Sequence, residues 1–520
     1  MSTTLSRRTL LSGLAGGAVL LSLTGCASAV DAEGSGEPQE GGTFLGAIGS
    51  DLVPANFYTN SNHGVTTIIG LVFESLVHYP NDSLKAEPRL AESWTISDDG
   101  LTVTLNLRKD VKFHTGRALT SDDVKFSLET YADPKWNGQL KSTAAAIKEI
   151  DTKDPNVAVL RLAHPLGNIL DLLEIVPIVD KETFAGIADG SKYVGTGPFK
   201  FDKWTPNARL QFSKNPDYRV AGRPYLDAVD IAVVADATAQ ANQIRGGQID
   251  YAYGISNLDV ERLEKTGKIS KIQLTGAETQ IYVGTNVTAE GLKDIRVRQA
   301  IAYALDRERI LAEVFRGSGY TANLPWPKTS PAYDEKLNST YTRDVAKAKE
   351  LLADYGKKVP TLKYNYQSPS PLFEATAQIV QANLKEIGIE VELEPLDAPT
   401  FVAQLIGGKF AGLWTTYHSW AQYTPSTLTV SAYPFNALKN TSHFSSDDYT
   451  KHADAAWKQL KGDSPEAIES YAALSKDLLD NLFLIEIAII ENRWAVSERV
   501  KGVGYTKRLE LVLTDAQLTG

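Results

Sequence analysis

The sequence predicts a mixed α/β fold, with helices and strands interleaved, and two observations carry that reading. Leu101-Thr-Val-Thr-Leu-Asn-Leu107 alternates apolar and polar residues, the period-2 pattern of a half-buried strand. Residues 372–387 place apolar side chains at helical spacing, and the alternating run Ile389-Glu-Val-Glu-Leu393 follows after Gly388. This helix-then-strand order recurs through the second half and points to α/β or α+β layers rather than a helical bundle. No short-period repeat is visible.

The first 25 residues are not part of that fold. Met1 to Thr9 holds no acid and carries only Arg7 and Arg8, and Leu10 to Leu23 is apolar but shorter than the about 20 residues of a membrane span. A positive start, an apolar centre and small residues before Cys26 predict a signal peptide over residues 1–25. Ser6-Arg7-Arg8-Thr9-Leu10-Leu11 resembles a twin-arginine (Tat) export signal, and Leu23-Thr24-Gly25-Cys26 resembles a bacterial lipobox. The resemblance implies a lipoprotein held at the outer face of the cytoplasmic membrane through diacylglyceryl-Cys26, the sole cysteine. Residues 26–42 are then the acylated cysteine and a small, acidic, Gly-rich linker that cannot bury enough apolar surface to fold.

Composition narrows the partners. The chain of 520 residues has 53 basic and 63 acidic side chains, and loss of Arg7 and Arg8 with the signal leaves a net charge of −12. Such a surface argues against nucleic acid or an anionic membrane surface as partner. One cysteine permits no internal disulfide, so stability must come from a core. The most apolar later stretch, Leu479 to Ile490, is interrupted by Asp480, Asn481 and Glu486 and reads as buried core.

Along the body, Trp94-Thr95-Ile96 and the turn Asp98-Asp99-Gly100 make a hairpin with the 101–107 strand. Thr120 and Ser121 with Asp122 and Asp123 start a helix carrying Val124 and Leu128 on one face. Asp294 and Asp306 cap two more, the second running to Gly317.

No reaction chemistry is visible. The sequence has no His-Glu-x-x-His helix, no Gly-x-Ser-x-Gly elbow and no phosphate loop ending in Gly-Lys-Ser/Thr. In Gly195-Thr196-Gly197-Pro198-Phe199 the proline removes a backbone donor, so the segment reads as a turn. The seven histidines, at 63, 78, 114, 164, 418, 443 and 452, are scattered. No cofactor is expected.

A set of motifs carries a family resemblance. In order they are Phe73-Glu74-Ser75-Leu76, Pro88-Arg89-Leu90-Ala91-Glu92-Ser93-Trp94, Leu107-Arg108-Lys109-Asp110-Val111-Lys112-Phe113-His114, Val194-Gly195-Thr196-Gly197-Pro198-Phe199, Asn215-Pro216-Asp217-Tyr218, Gly247-Gln248-Ile249-Asp250 and Asp294-Ile295-Arg296-Val297-Arg298-Gln299-Ala300. Together they resemble family 5 extracytoplasmic solute-binding proteins of ABC importers, the dipeptide, oligopeptide and nickel type. The resemblance implies a two-lobed, periplasmic-binding-protein-like fold of the large peptide-binding type, with an extra subdomain in lobe I. It implies residues 43–278 as lobe I, with 494–520 returning to it, and 279–493 as lobe II. A monomer would close on a small-molecule solute in the periplasmic space and deliver it to an ABC permease with its ATPase subunits. Trp94, Leu105 and Phe113 would be core, and Gly100, Gly116 and Gly197 turn positions.

The solute is read from residues 413–428. Peptide-binding relatives carry an aspartate there, in a pattern like Ala-Asp-x-x-Asp-Pro, that pairs with the peptide's amino group. Here Thr424-Pro425 takes the Asp-Pro place, and no acid occurs between Phe410 and Thr441. The stretch offers rings with polar edges instead, Tyr417, His418, Trp420 and Tyr423, which suit sugar faces and peptide side chains. Asn60, Ser61, Asn62 and His63 before the first helix, with Tyr366 and Gln367 after a lobe II strand, complete the expected ligand site. A peptide is the first expectation and an oligosaccharide or other neutral solute the second; a nickel chelate rests on His63 and His418 alone. A surface hydrolase or adhesion lipoprotein is the alternative class.

Overall fold

The turn at Asp98-Asp99-Gly100 folds as its residues require. Gly100 sits at φ +69°, the Ser97 hydroxyl donates to Asp99 at 2.6 Å, and Ala91–Ile96 pairs antiparallel with Thr102–Leu107. Val157–Leu162 and Ile147–Asp154 extend this hairpin to a four-stranded antiparallel sheet. Helix Ser121–Ala132 packs on it and begins with a capping box between Thr120 and Asp123. The computed structural model describes residues 38–59, 62–368 and 370–519; Cys26, the signal segment, Asn60 and Ser61 lie outside the described residues.

Two larger sheets organise the rest. A seven-stranded mixed sheet runs in the order Ile269–Gln273, Arg493–Ser497, Tyr251–Tyr253, Thr43–Ile48, Ala228–Val233, Arg209–Lys214, Phe199–Thr205. A six-stranded mixed sheet runs Gly319–Thr321, Leu484–Ile490, Thr279–Thr285, Leu413–His418, Leu362–Gln367, Val391–Leu396. The chain passes between the two sheets at residues 274–278 and again at 491–492. These crossings lie side by side, because strands pair antiparallel before and after them and the Leu274 amide donates to the Asn492 carbonyl at 2.9 Å. The fold is two-lobed and mixed α/β.

Helices Ile295–Ala304 and Arg307–Glu313 start where Asp294 and Asp306 accept the amides of Arg296 and Arg309. Helix Pro371–Glu386 covers the six-stranded sheet. The strand after it begins at Val391 rather than Ile389, because the Ile389 amide donates to the Leu384 carbonyl at 2.9 Å and finishes the helix end. Leu479 to Ile490 is divided between the end of helix Pro465–Asn481 and the wholly buried strand Leu484–Ile490.

The family-like motifs converge on one buried carboxylate. Glu74 Oε1 accepts from Arg219 Nη2 at 2.8 Å, Arg219 Nε at 3.1 Å and the Tyr218 hydroxyl at 3.2 Å, and Oε2 accepts from Thr196 at 3.0 Å. Arg89 lies 3.5 Å away. Segments far apart in sequence are thus pinned around Glu74. Leu105 and Phe113 are buried and Trp94 packs on the same core. Gly197 also permits close backbone approach, because a Cβ there would come within 2.6 Å of the Val72 carbonyl carbon.

Candidate functional site

Both sheets send strand ends towards the paired crossings. From the seven-stranded sheet, Tyr253 ends its strand and stacks on His63, with ring centroids 3.9 Å apart and planes 21° from parallel. His63 opens helix His63–Val72, its Nδ1 accepting the Gly49 amide at 3.1 Å, and burial lowers its pKa to about 4. Its ring is therefore neutral, a stacking and hydrogen-bonding surface rather than a cation. Tyr417 projects from the six-stranded sheet, 55% exposed, and stacks on Phe373 at 5.2 Å. The Tyr253 hydroxyl has its pKa raised by burial and further by the nearby Tyr417, which brings side chains of the two halves together.

Behind Tyr417 the six-stranded sheet holds a polar floor. Gln280 sits opposite His418 and Tyr282 opposite Glu486 in the strand register, which puts all four on one face. His418 Nε2 is 3.8 Å from Glu486 Oε1, and Phe435 closes over the imidazole at 4.7 Å. Burial pushes Glu486 well above the usual carboxylate range, with Arg307 opposing, and lowers His418 to about 3. At neutral pH the pair is a carboxylic acid beside a neutral imidazole. Both amide atoms of Gln280, both ring nitrogens of His418 and both carboxyl oxygens of Glu486 are buried with no hydrogen-bond partner. Each such group costs about 1–3 kcal/mol unless water or a bound polar group satisfies it.

Past His418 the chain enters a second hydrogen-bonded network. Trp420 is buried, 5.8 Å from the Tyr423 ring and 6.0 Å from the Arg508 guanidinium carbon. Tyr423 is a core residue rather than a cleft wall, and its hydroxyl donates to Glu174 Oε2 at 2.9 Å. Thr424-Pro425 opens helix Pro425–Ser431. Asp171 accepts four bonds: the Thr424 amide at 3.0 Å, the Thr424 hydroxyl at 3.0 Å, the Thr427 hydroxyl at 2.6 Å and the Tyr79 hydroxyl at 2.9 Å. Burial raises Asp171 to about 6; burial and then Glu510 raise Glu174 to about 7, with Arg508 opposing. The acid-free stretch in sequence is therefore not acid-free in space. Helix Ile169–Ile175 brings both carboxylates from the other half.

The remaining expected site residues divide. Asn62 caps helix His63–Val72, accepting the Val65 amide at 2.9 Å, and its amide nitrogen is buried without a partner. Tyr366 is buried and Gln367 half-buried at the end of strand Leu362–Gln367. Sequence reading missed Tyr253, Gln280, Glu486, Asp171 and Glu174. A usable signal existed for the last two, since acids three residues apart inside the apolar run Ile169 to Val176 must be buried with partners. Among the described residues no group of three or more His, Cys, Asp or Glu could hold a metal ion, and no helix is long and apolar enough to cross a membrane. The arrangement can grip a ligand between aromatic and polar surfaces.

Comparison with known proteins bears on that arrangement. The family described as bacterial extracellular solute-binding proteins, family 5 Middle, matches residues 85–439. The oligopeptide-binding protein AppA of Bacillus subtilis is 31% identical over 398 residues, covering 71% of this chain and 72% of AppA. The structure of AppA with a nonapeptide superposes with a TM-score of 0.79 at 24% identity, over 93% of this chain and all of that one. The binding protein AgaA of A. tumefaciens R10, in complex with agropinic acid, gives 0.80 at 26% identity, over 92% and 99%.

Proposed function

Because this chain belongs to the bacterial extracellular solute-binding proteins of family 5, we propose that it captures a peptide-like solute between its lobes and hands it to an ABC permease. It is a binding protein rather than an enzyme. The lobes we propose are residues 43–278 with 494–520, and 279–493. The two adjacent crossings would form the hinge, and their adjacency supports closure coupled to occupancy.

The observations that carry this reading are the buried polar group of Gln280, His418 and Glu486, which has no hydrogen-bond partners, and the rings of Tyr417, His63 and Tyr253 where the two halves approach. A solute's polar groups would satisfy that floor while its apolar parts lie on the rings. We assign the solute contacts to His63, Gln367, Tyr417, His418 and Trp420, with Tyr366 and Asn62 beside them. The 413–428 stretch itself holds no acid and both oxygens of Asp171 are already occupied, which leaves Glu486 beside His418 as the acid without a partner. Binding indifferent to N-acetylation would fit the missing aspartate, and binding lost on N-acetylation would point to Glu486 in its place.

Native mass spectrometry of the protein from its host identifies a retained solute, and calorimetry with di- to hexapeptides and their N-acetyl forms tests the class. Failure of every peptide to bind removes the peptide reading. The second reading, a neutral or non-peptide solute, is favoured by the missing amino-terminus aspartate, and the agropinic acid bound by AgaA is a precedent within the fold. We further propose lipidation at Cys26 after twin-arginine export, holding a monomer beside its permease at high effective concentration. Cys26→Ser should move the protein from the membrane fraction to the soluble one.

A further inference from the structure

A cavity of about 270 Å³ lies where the two halves meet, away from the His63–Tyr417 cleft. Gln139, Lys141 and Ser142 line it from helix Lys141–Ala145 and the turn before it, beside the four-stranded sheet. Ser431, Tyr433 and Lys439 line it from the helix and loop that follow strand Leu413–His418.

Its chemistry is one-sided. In a chain with net charge −10, no Asp or Glu lines this cavity, while two ammonium groups do, one from each half. Among the described residues neither Lys141 nor Lys439 is paired with a carboxylate. The Ser431 hydroxyl is buried with no hydrogen-bond partner. Tyr433 and Ser142 add hydroxyls, and Gln139 an amide. Two cations, several donors and no acid make a setting that a small anion would complete.

We propose that this cavity is a binding site for a small oxyanion, a phosphate or a compact carboxylate, held by Lys141 and Lys439 with Ser431 as a buried donor. The site is independent of the solute cleft and of what that cleft carries. Since its two lysines come from opposite halves, an occupant bridges them and favours the closed arrangement.

The test uses the purified protein with inorganic phosphate and, separately, succinate, by calorimetry at low ionic strength. One-site saturable binding of at least one probe is expected, with a rise in melting temperature. Lys141→Ala with Lys439→Ala should weaken it at least tenfold, while the charge-matched pair Lys112→Ala with Lys148→Ala leaves it unchanged. Preference for phosphate or for succinate assigns the phosphoryl or the carboxylate class. Lys439→Gln alone, at a solvent-exposed position, should weaken binding without affecting the fold. No saturable binding of either probe overturns the proposal, as does equal weakening by both lysine pairs.

Discussion

Glu74 and Glu486 are both buried glutamates, and they live in opposite circumstances. Glu74 has its two oxygens filled by Thr196, Tyr218 and Arg219, with Arg89 alongside. Glu486 has neither oxygen bonded and stands against a neutral histidine. The first is an architectural knot that ties distant segments into one lobe. The second keeps hydrogen-bonding capacity in reserve inside the six-stranded sheet. Saturation marks what the fold needs for itself, and unsatisfied capacity marks what it holds for something else.

Removing each carboxylate breaks or sharpens that contrast. Glu74→Ala strands two arginines and a tyrosine around a buried gap, so a loss of about 3–5 kcal/mol is expected in chemical denaturation. A loss below about 1 kcal/mol would mean that the knot does not hold the lobe together.

Glu174 is the intermediate case, bonded once by Tyr423 and pushed up to about 7 by burial and Glu510. Its folded-state pKa exceeds the unfolded value, so the folded state holds the proton more tightly between roughly pH 4.5 and 7. The stability it contributes is present below that window and lost as pH rises through 7, up to about 3 kcal/mol. Glu174→Gln should flatten this slope, so that wild type loses stability relative to the variant between pH 5 and 8. Parallel melting curves for the two proteins across that range would count against it.

The order of legibility in the sequence follows the same divide. Strand 102–107, the Thr120–Asp123 capping box and the helices after Asp294 and Asp306 were readable because each is fixed by neighbours in the chain. The motifs around Glu74 were readable as a set, though not as a knot, because their meeting is a property of tertiary packing. The site was half legible. His63 opens its helix and Tyr417 and His418 end a strand near the paired crossings, while Tyr423 turns inward because Glu174 offers its hydroxyl a buried acceptor. Gln280 and Glu486 escaped notice since a polar residue in a strand reads as a solvent-facing position unless the covering layer is known; here that layer is Phe435 and its segment.

At the cleft floor the expected sign changes. Glu486→Leu removes an unsatisfied buried acid in favour of apolar volume, so stability should change by less than about 1 kcal/mol or rise. Affinity for the co-purified solute should fall about tenfold or more in the same protein. A loss of several kcal/mol, as at Glu74, would make Glu486 a structural residue and erase the distinction.

The smallest expected stability effect is at Tyr417, and it separates ligand contact from scaffold most cleanly. The ring is 55% exposed and stacks on Phe373. Tyr417→Ala should therefore cost about 0.5 kcal/mol of stability. Gly284 offers the opposite control on the neighbouring strand: a Cβ there would meet the Trp414 ring at 2.1 Å, so Gly284→Ala disturbs the sheet without touching the cleft. If Tyr417 is a wall of the solute site, its loss weakens solute binding about tenfold while the melt barely moves, and Gly284→Ala shows the reverse. Calorimetry and denaturation on the two variants read both quantities. Equal effects on binding would mean that Tyr417 acts only by supporting the sheet, and the contrast between saturated scaffold and open floor would then have to be drawn one layer deeper, at His418.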